Sequence, residues 1–311
     1  MEKVLAIVGP TAVGKTNLSI ELAKKFNGEI ISGDSMQVYK SLDIGTAKIK
    51  ASEMQGIKHH LINIREIDQQ YTVADFVNDA RKIISELNQQ GKLPIIVGGT
   101  GFYLQALLEG LSLGGTNSSP ENEKMAFREQ LSESTKLYGN QWLHDQLNLV
   151  DPKAAETIPL NNIRRMIRAL EVYEFTGEKF SEQSNLPTFY NSFVIGLNTD
   201  RELLYQRINR RVDEMFQEGL IKEAETLFQQ GGIELPAGKG IGYREFDSYF
   251  NGSSSIEVVT DEIKKDTRHY AKRQLTWFRN KTKPHWYDLV RKVNSIEEIE
   301  IDVKKWLDVA D

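Results

Sequence analysis

The sequence contains no cysteine, and this absence excludes disulfide bonds, thiolate metal sites and cysteine nucleophiles. It also lacks any apolar run close to the roughly 18 residues that a membrane-spanning helix needs. No basic-then-apolar leader precedes the first predicted strand, so we expect a cytoplasmic protein without a secretion signal or a membrane partner. The chain has 311 residues, 40% hydrophobic and 27% charged, which predicts one large globular domain or a core with a smaller insertion.

A net positive charge is missing too. The formal net charge is −5, which at first argues against a nucleic acid as the partner. A nucleic acid, however, is bound by a local basic surface and not by the total charge of a protein. Acidic residues concentrate elsewhere, for example in NSIEEIEIDVKKWLDVAD, so the composition leaves room for a positively charged face.

The clearest motif present is GPTAVGKT, which has the spacing G-x-x-x-x-G-K-T of a phosphate-binding loop. The apolar run KVLAIV before it suits a buried strand, and TNLSIELAKKF after it has helical spacing. In such a loop backbone N–H groups surround an anion, Lys15 reaches the terminal phosphates, and the Thr16 hydroxyl ligates Mg²⁺. The loop alone leaves open whether the ligand is ATP, GTP or another diphosphate. The predicted phosphate-binding residues are Gly9, Pro10, Thr11, Ala12, Val13, Gly14, Lys15 and Thr16.

Strand and helix signals alternate along the first third of the chain, which is typical of an α/β fold. Apolar strands such as KVLAIV and PIIV predict a parallel sheet covered on both faces. The next region is polar and helical, and the following strand-like segment is SFVIGLNTD, from Ser192 to Asp200. We therefore predict a P-loop NTPase-like parallel sheet flanked by helices, with a helical insertion domain. The expected core is residues 1–113 and 192–311, and the expected insertion is residues 114–191.

Ligands of open α/β sheets bind beyond the carboxyl ends of the strands, so three loops should meet there. They are the phosphate-binding loop, GDSMQVY and GGTGFY. Asp34 is the acidic residue nearest to the phosphate-binding loop, since the strand PIIV ends in Gly98, Gly99 and Thr100 rather than in an acid. These residues alone leave three interpretations of Asp34 open: a general base, a ligand of a metal-bound water, or a turn-forming residue.

Several motifs together resemble one family. GPTAVGKT, SGDSMQVYKSLDIGTAK, HHLI, IIVGGTGFYLQALLEGL and AKRQLTWFR occur in this order and span nearly the whole chain. In this combination the sequence resembles the bacterial tRNA dimethylallyltransferases, the IPP transferase family. The resemblance implies that dimethylallyl diphosphate lies in the phosphate-binding loop. It also implies transfer of the dimethylallyl group to N6 of adenosine 37, beside the tRNA anticodon, with release of pyrophosphate and Mg²⁺ as the cofactor.

The resemblance implies catalytic roles for individual residues. Asp34 is the candidate base for the adenine amino group, which is a weak nucleophile because its lone pair is delocalised into the ring. Thr100 matches a threonine that faces the reacting centre, and we expect it to bridge the amine and the diphosphate. Lys15 stabilises the leaving diphosphate together with an arginine. The candidates for this arginine are Arg207 and Arg211, which lie four residues apart on one predicted helix face. We favour Arg211 as the residue that contacts the diphosphate. The alternative is that both arginines are solvated.

RNA recognition needs cations together with stacking surfaces, and RHYAKRQLTWFRNKTK offers both, although a lone basic run is more often a solvated surface. A second basic cluster, IRRMIR, lies in the predicted insertion. The segment DSMQ matches a part of the family that touches the target nucleotides. The predicted tRNA-binding residues are Asp34, Ser35, Met36, Gln37, Thr100, Arg164, Arg165, Arg168, Lys272, Arg273, Gln274, Trp277 and Arg279.

Two adjacent histidines, His59 and His60, are interpreted as structural, because neighbouring side chains point in different directions and make a poor metal site. Three alternatives to the family's function stay open: a P-loop small-molecule kinase, an adenylate isopentenyltransferase that modifies free AMP, and a non-catalytic RNA-binding protein. The kinase requires a second acid that the sequence does not clearly offer. We expect a monomer whose partners are the anticodon stem-loop of tRNA and dimethylallyl diphosphate.

Overall fold

Six strands form one sheet in the computed structural model, which describes residues 1–113, 120–183, 187 and 189–309. The strands are β1 (Glu2–Val8), β2 (Gly28–Ser32), β3 (His59–His60), β4 (Leu93–Gly98), β5 (Tyr190–Leu197) and β6 (His285–Tyr287). Their order is β3–β2–β4–β1–β5–β6, and every pair of neighbours is parallel. The carboxyl ends of the strands therefore lie at one edge of the sheet, where such folds bind ligands.

Helices connect the strands, as the sequence predicts. They are α1 (Lys15–Lys25), α2 (Val73–Gln89), α3 (Gly101–Glu109), α4 (Glu121–Val150), α5 (Pro152–Thr157), α6 (Ile163–Thr176), α7 (Arg201–Glu218), α8 (Leu220–Gln229), α9 (Asp247–Phe250), α10 (Ile256–Lys281) and α11 (Ile296–Asp308). Among the described residues, no helix has both the length and the apolar character that crossing a membrane requires.

The core of the sheet packs against α1. Leu5, Ile95 and Ile195, from three adjacent strands, belong to one buried cluster with Leu18 and Leu22 of α1. A parallel sheet covered by helices buries both faces of its central strands, and burying a large aliphatic side chain contributes about 1.5–3 kcal/mol. This is why the central strands read as continuous apolar runs in the sequence.

The helix α2 shows how local sequence sets an element. It begins at a capping box, in which Thr72 and Asp75 bond each other's backbone N–H groups with their side chains. Phe76, Ala80 and Ile84 then follow at four-residue spacing and are all buried. One apolar stripe therefore fixes which face of α2 packs on the sheet.

The chain separates into two compact units. The first consists of Met1–Leu108 with Thr188–Asp311, and the second consists of Glu109–Pro187. The second unit is helical and has its own core, to which Leu143 and Leu147 of α4 and Met166 of α6 belong. The α4 helix is interrupted at Gly139, whose φ of 86° lies outside the helical region.

The structure confirms a parallel sheet flanked by helices and differs from the sequence analysis in detail. The strands β3 and β6 have two and three residues and were not predicted. The predicted strand Ser192–Asp200 was wrong at both ends: β5 begins at the buried Tyr190 and ends at Leu197. Asp200 instead caps α7, because its Oδ1 accepts hydrogen bonds from the backbone N–H groups of that helix's first turn.

Replacing Ile95 by alanine should lower the free energy of unfolding by about 2–5 kcal/mol, because the side chain is 0% exposed and leaves a cavity. Denaturant unfolding followed by circular dichroism measures this loss. The matched control is Ile301→Ala, whose side chain is 54% exposed on α11 and which should change the free energy by about 0.5 kcal/mol or less. Equal losses for the two variants would contradict the core assigned here.

Candidate active site

The phosphate-binding loop, residues 9–16, joins the end of β1 to the start of α1. Gly14 has a φ of 109°, a left-handed conformation that favours glycine, and no side chain of the described residues caps α1 there. The first N–H groups of a helix have no partners within the helix, and the positive end of its dipole lies at the same place. The loop is therefore suited to receive an anion.

Lys15 is the cation of this loop. Its Nζ donates hydrogen bonds to the carbonyl oxygens of Gly9 at 2.9 Å and Pro10 at 2.7 Å. Burial lowers the pKa of Lys15 to about 7, while the carboxylate of Asp34 opposes that change and the guanidinium of Arg211 adds to it. An anion bound in the loop would supply a counter-charge and raise this pKa again.

Asp34 begins the loop that follows β2, and its carboxylate is oriented by the backbone of the same loop. Its Oδ1 accepts hydrogen bonds from the N–H groups of Met36 at 2.8 Å and Gln37 at 3.4 Å, which forms a turn of the Asx type. The other carboxylate oxygen takes no part in this turn. Because the charge of Asp34 acts on both Lys15 and Arg211, the three groups share one electrostatic site.

Thr100 lies in the loop after β4 and is tied to the Asp34 loop. Its hydroxyl oxygen accepts a hydrogen bond from the N–H group of Ser35 at 3.1 Å. The loops meet because the two backbones approach closely: a Cβ atom on Gly98 would lie 2.3 Å from the carbonyl oxygen of Gly33. Glycine at position 98 therefore allows the end of β4 to bring Thr100 beside Asp34.

Two arginines of α7 reach the same edge of the sheet. Arg207 Nε donates to the carbonyl oxygen of Ala12 in the phosphate-binding loop at 2.8 Å, and Arg211 Nη2 donates to that of Ala47 at 3.3 Å. Burial lowers the pKa of Arg211, while the carboxylate of Glu214 opposes this change. Arg207 is exposed and Arg211 is partly buried, so Arg211 gains more from a bound anion.

The model of the family described as IPP transferase matches residues 37–281 of this sequence. This chain belongs to the IPP transferase family. It is 54% identical over 310 residues to the tRNA dimethylallyltransferase of Pediococcus pentosaceus, an alignment that covers 99% of this chain and 98% of the relative. The recognised family is therefore confirmed over the full length of the sequence.

Solved structures of this family have the same fold. The tRNA isopentenylpyrophosphate transferase of Bacillus halodurans matches with a TM-score of 0.74 at 46% identity, over 99% of this chain and 97% of that one. A eukaryotic dimethylallyltransferase, described as acting on tRNA, matches with a TM-score of 0.86 at 30% identity, over 99% of this chain and 80% of that one.

In this IPP transferase, the predicted RNA-contact residues of α10 lie on two different faces. Three cations are exposed, namely Lys272, Arg273 and Arg279. Gln274 is only 4% exposed, and its amide is hydrogen-bonded inside the protein. The indole of Trp277 lies over Gly101 and makes an edge contact with Phe102, with ring centroids 6.1 Å apart. The exposed cations can contact RNA directly, whereas Gln274 and much of Trp277 face the protein.

The cations of α6 divide in a similar way. Arg164 and Arg165 are exposed. Arg168 donates hydrogen bonds to the carboxylate of Glu171 and, at 2.7 Å, to the carbonyl oxygen of Leu113. Arg168 therefore stabilises the second unit internally, and its guanidinium has fewer donors left for RNA than those of its two neighbours.

The segment GKGIGYRE lies beside the site. A Cβ atom on Gly240 would come within 2.5 Å of the Met36 side chain, so this segment packs against the Asp34 loop. The ring of Tyr243 fills the space beside Gly45, and its hydroxyl donates to Glu223 at 2.7 Å. Such packing depends on residues far apart in sequence, and the glycine spacing was the one local signal for it.

Tyr270 is another residue of the site whose position the sequence did not reveal. Its hydroxyl lies 3.5 Å from the carbonyl oxygen of Gly99. Burial raises the pKa of Tyr270 to about 12, and the negative charge of Asp34 adds to this. In the sequence, Tyr270 is only an aromatic residue within a basic run.

The two histidines lie in the edge strand β3. His60 Nε2 is 2.7 Å from a carboxylate oxygen of Glu29, and His59 Nδ1 is 2.9 Å from the carbonyl oxygen of Ile57. The Lys92 ammonium also pairs with Glu29. Burial would raise the pKa of Glu29, but hydrogen bonds from Lys92 and His60 outweigh it and lower this pKa.

Because the pKa of Lys15 is about 7, the affinity for inorganic pyrophosphate should fall as the pH rises from about 6 to about 8.5. Lys15 is charged below its pKa and neutral above it, and each pH unit above the pKa costs up to about tenfold in affinity. Isothermal titration calorimetry measures the affinity. Lys15→Arg stays charged across this range and controls for the ionisation of pyrophosphate itself. A wild-type to variant ratio that does not change with pH would contradict the lowered pKa.

Proposed function

We propose that this IPP transferase is a tRNA dimethylallyltransferase. It transfers the dimethylallyl group of dimethylallyl diphosphate to N6 of adenosine 37, next to the anticodon of tRNA, and releases pyrophosphate. The observation that carries this proposal is the hydrogen bond between Ser35 N–H and Thr100, which holds the Asp34 loop and the loop after β4 together at the edge where Lys15 lies. The anion site at Lys15 and the candidate base Asp34 therefore belong to the same small site.

The leaving group is the first chemical problem. When the allylic C–O bond breaks, its electron pair and the growing negative charge go to the diphosphate oxygens. The N–H groups of the phosphate-binding loop, Lys15 and Arg211 stabilise that charge, with Arg207 as a second cation at the rim. Fixed donors in a partly enclosed site are effective because they need no reorganisation as the charge develops.

A magnesium ion fits this arrangement. The Thr16 hydroxyl lies at the exposed first turn of α1 and supplies the hard oxygen ligand that Mg²⁺ prefers. Mg²⁺ is typically held by one or two protein ligands together with substrate phosphates and water. When bound, it acts as a Lewis acid that neutralises part of the diphosphate charge.

The nucleophile is the second chemical problem. The N6 amine forms a C–N bond and loses one proton, and Asp34 accepts that proton as the bond forms. The Asx turn fixes the Asp34 carboxylate before the substrate arrives. The Thr100 hydroxyl accepts from the Ser35 N–H group at 3.1 Å and donates to the Ser35 hydroxyl at 3.4 Å. On substrate binding it can exchange this long second bond for one to the diphosphate and so bridge the amine and the diphosphate.

Access to adenosine 37 requires that the base leave the stack of the anticodon loop, which costs a few kcal/mol. The exposed cations of α10 and α6 can bind the RNA backbone and offset that cost. We propose that the second unit contacts tRNA as the inserted module, near the predicted residues 114–191. The protein is further proposed to act as a cytoplasmic monomer that binds one tRNA.

Substituting Asn for Asp34 should lower the transfer rate by about 10²–10⁴-fold, the usual contribution of a general base, because an amide cannot accept the proton. The measurement uses radiolabelled dimethylallyl diphosphate, Mg²⁺ and an anticodon stem-loop with adenosine at position 37. A stem-loop with guanosine at that position should take no label. Wild-type rates in Asp34→Asn would exclude Asp34 as the base.

The same assay separates the alternatives. Label in free AMP would instead identify an adenylate isopentenyltransferase. Hydrolysis or transfer from ATP, without prenyl transfer to any acceptor, would identify a P-loop kinase or related enzyme and would refute the proposal.

Lys272→Ala and Arg279→Ala should each weaken stem-loop binding and reduce its salt dependence, because each removes one exposed cation from α10. For single-stranded RNA the salt slope should fall by about 0.7 for each phosphate that the protein no longer neutralises. Fluorescence anisotropy over a series of salt concentrations measures both quantities. Lys304→Ala removes an exposed cation of α11 and is the matched control, with binding unchanged. Equal effects at the three positions would mean that the cations of α10 act only through the total charge of the protein and do not contact the RNA.

A further inference from the structure

The side chain of Gln274 joins two loops of the site that are far apart in sequence. Its Oε1 accepts a hydrogen bond from the N–H group of Thr11 at 3.0 Å, and its Nε2 donates to the carbonyl oxygen of Gly99 at 3.0 Å. Thr11 belongs to the phosphate-binding loop, and Gly99 immediately precedes Thr100. One amide thus spans the anion site and the loop that carries a proposed catalytic hydroxyl.

The contact is also tight. Gln274 lies on the buried face of α10 with Ala271 and Phe278, which are 0% exposed. A Cβ atom on Gly99 would lie 2.0 Å from Gln274 Nε2, so no other residue at position 99 leaves room for this amide. The helix therefore rests directly on the loop, and a change at position 274 is transmitted to it.

Burial makes the two hydrogen bonds important. A buried N–H or C=O group that loses its partner is destabilising. An apolar side chain of the same length would leave the Thr11 N–H group without this acceptor and the Gly99 carbonyl oxygen with only the Tyr270 hydroxyl at 3.5 Å. The loops would then rearrange until water or another group satisfied them. A side chain that both accepts and donates at this position holds the loops at one separation.

We propose that Gln274 is a positioning residue for prenyl transfer, which fixes the diphosphate relative to Thr100, and that it does not contact RNA. The effect on prenyl transfer rests on the proposed function, whereas the ordering of the phosphate-binding loop by Gln274 does not. Its exposed neighbours Lys272 and Arg273 remain the RNA contacts of the same helix. The basic segment of α10 thus combines RNA binding with positioning of the catalytic loops. The helical repeat places the residues for these two roles on opposite faces of the helix.

Gln274→Met tests the proposal, because methionine keeps the length and loses both hydrogen bonds. We expect the affinity for inorganic pyrophosphate to fall about tenfold and the single-turnover transfer rate at saturating substrates about 10–100-fold. Stem-loop affinity measured without diphosphate should stay within about twofold of wild type. Lys272→Met is the matched control with the opposite pattern: weaker stem-loop binding and unchanged pyrophosphate affinity.

Gln274→Glu separates the two hydrogen bonds. The carboxylate still accepts from Thr11 N–H but cannot donate to Gly99, and its negative charge beside the phosphate-binding loop repels pyrophosphate. Pyrophosphate affinity and the transfer rate should therefore both fall at about pH 8.5. A protonated glutamic acid can donate again. The transfer rate relative to wild type should therefore recover at about pH 6 compared with about pH 8.5, which a purely structural defect would not do.

The opposite results would overturn the inference. A tenfold loss of stem-loop affinity with unchanged pyrophosphate binding would make Gln274 an RNA contact. Wild-type pyrophosphate affinity and transfer rate in Gln274→Met, with a folded protein by circular dichroism, would remove any positioning role. If the wild-type enzyme shows no prenyl transfer, the proposed function fails, whereas the pyrophosphate measurements still decide whether Gln274 orders the phosphate-binding loop.

Discussion

The close approach of backbones at the carboxyl edge of the sheet is the constraint on which the site depends. The Gly33 N–H group donates to the Val97 carbonyl oxygen at 2.8 Å, and a Cβ atom on Gly98 would meet the Gly33 carbonyl oxygen. The loops carrying Asp34 and Thr100 leave β2 and β4 at this point. Since each loop continues directly from a buried strand, its position is set by the core and not by the loop's own sequence. A proposed base and a hydroxyl can then be held to hydrogen-bond accuracy without a ligand.

The charges at this edge are arranged for a ligand that brings negative charge. Lys15 and Arg211 both have lowered pKa values because burial disfavours their charged forms, and Asp34 compensates them only in part. The proposed diphosphate substrate would complete that balance with its two or three negative charges, and its departure as pyrophosphate would remove it again. The charges of the free protein therefore favour binding of the substrate through its anionic group and not through its neutral allyl group. This leaves the allylic carbon free to meet the amine.

The sequence predicted the features that depend on local pattern. Buried strands, the phosphate-binding loop and the loops beyond β2 and β4 are read from apolar runs and glycines, and the structure has them. The strands β3 and β6 are too short to show a period, and their pairing is decided by neighbours already in the sheet. The predicted tRNA-binding residues of α10 and α6 looked equivalent in sequence. Side-chain direction distinguishes them: Gln274 turns into the core, and Arg168 is held by Glu171.

The chemistry at position 274 follows from what surrounds it. A lysine or arginine there would place another cation near Lys15, and an ionised glutamate would face the Gly99 carbonyl oxygen. A neutral amide can accept from Thr11 and donate to Gly99 while leaving the charge balance of the site unchanged. An amide of this length is long enough to join both loops from the buried face of α10. The opposite face of that helix is free to carry cations, because they lie in water and cost nothing in desolvation. One helix can therefore bind a polyanion on its outer side and order a catalytic edge on its inner side.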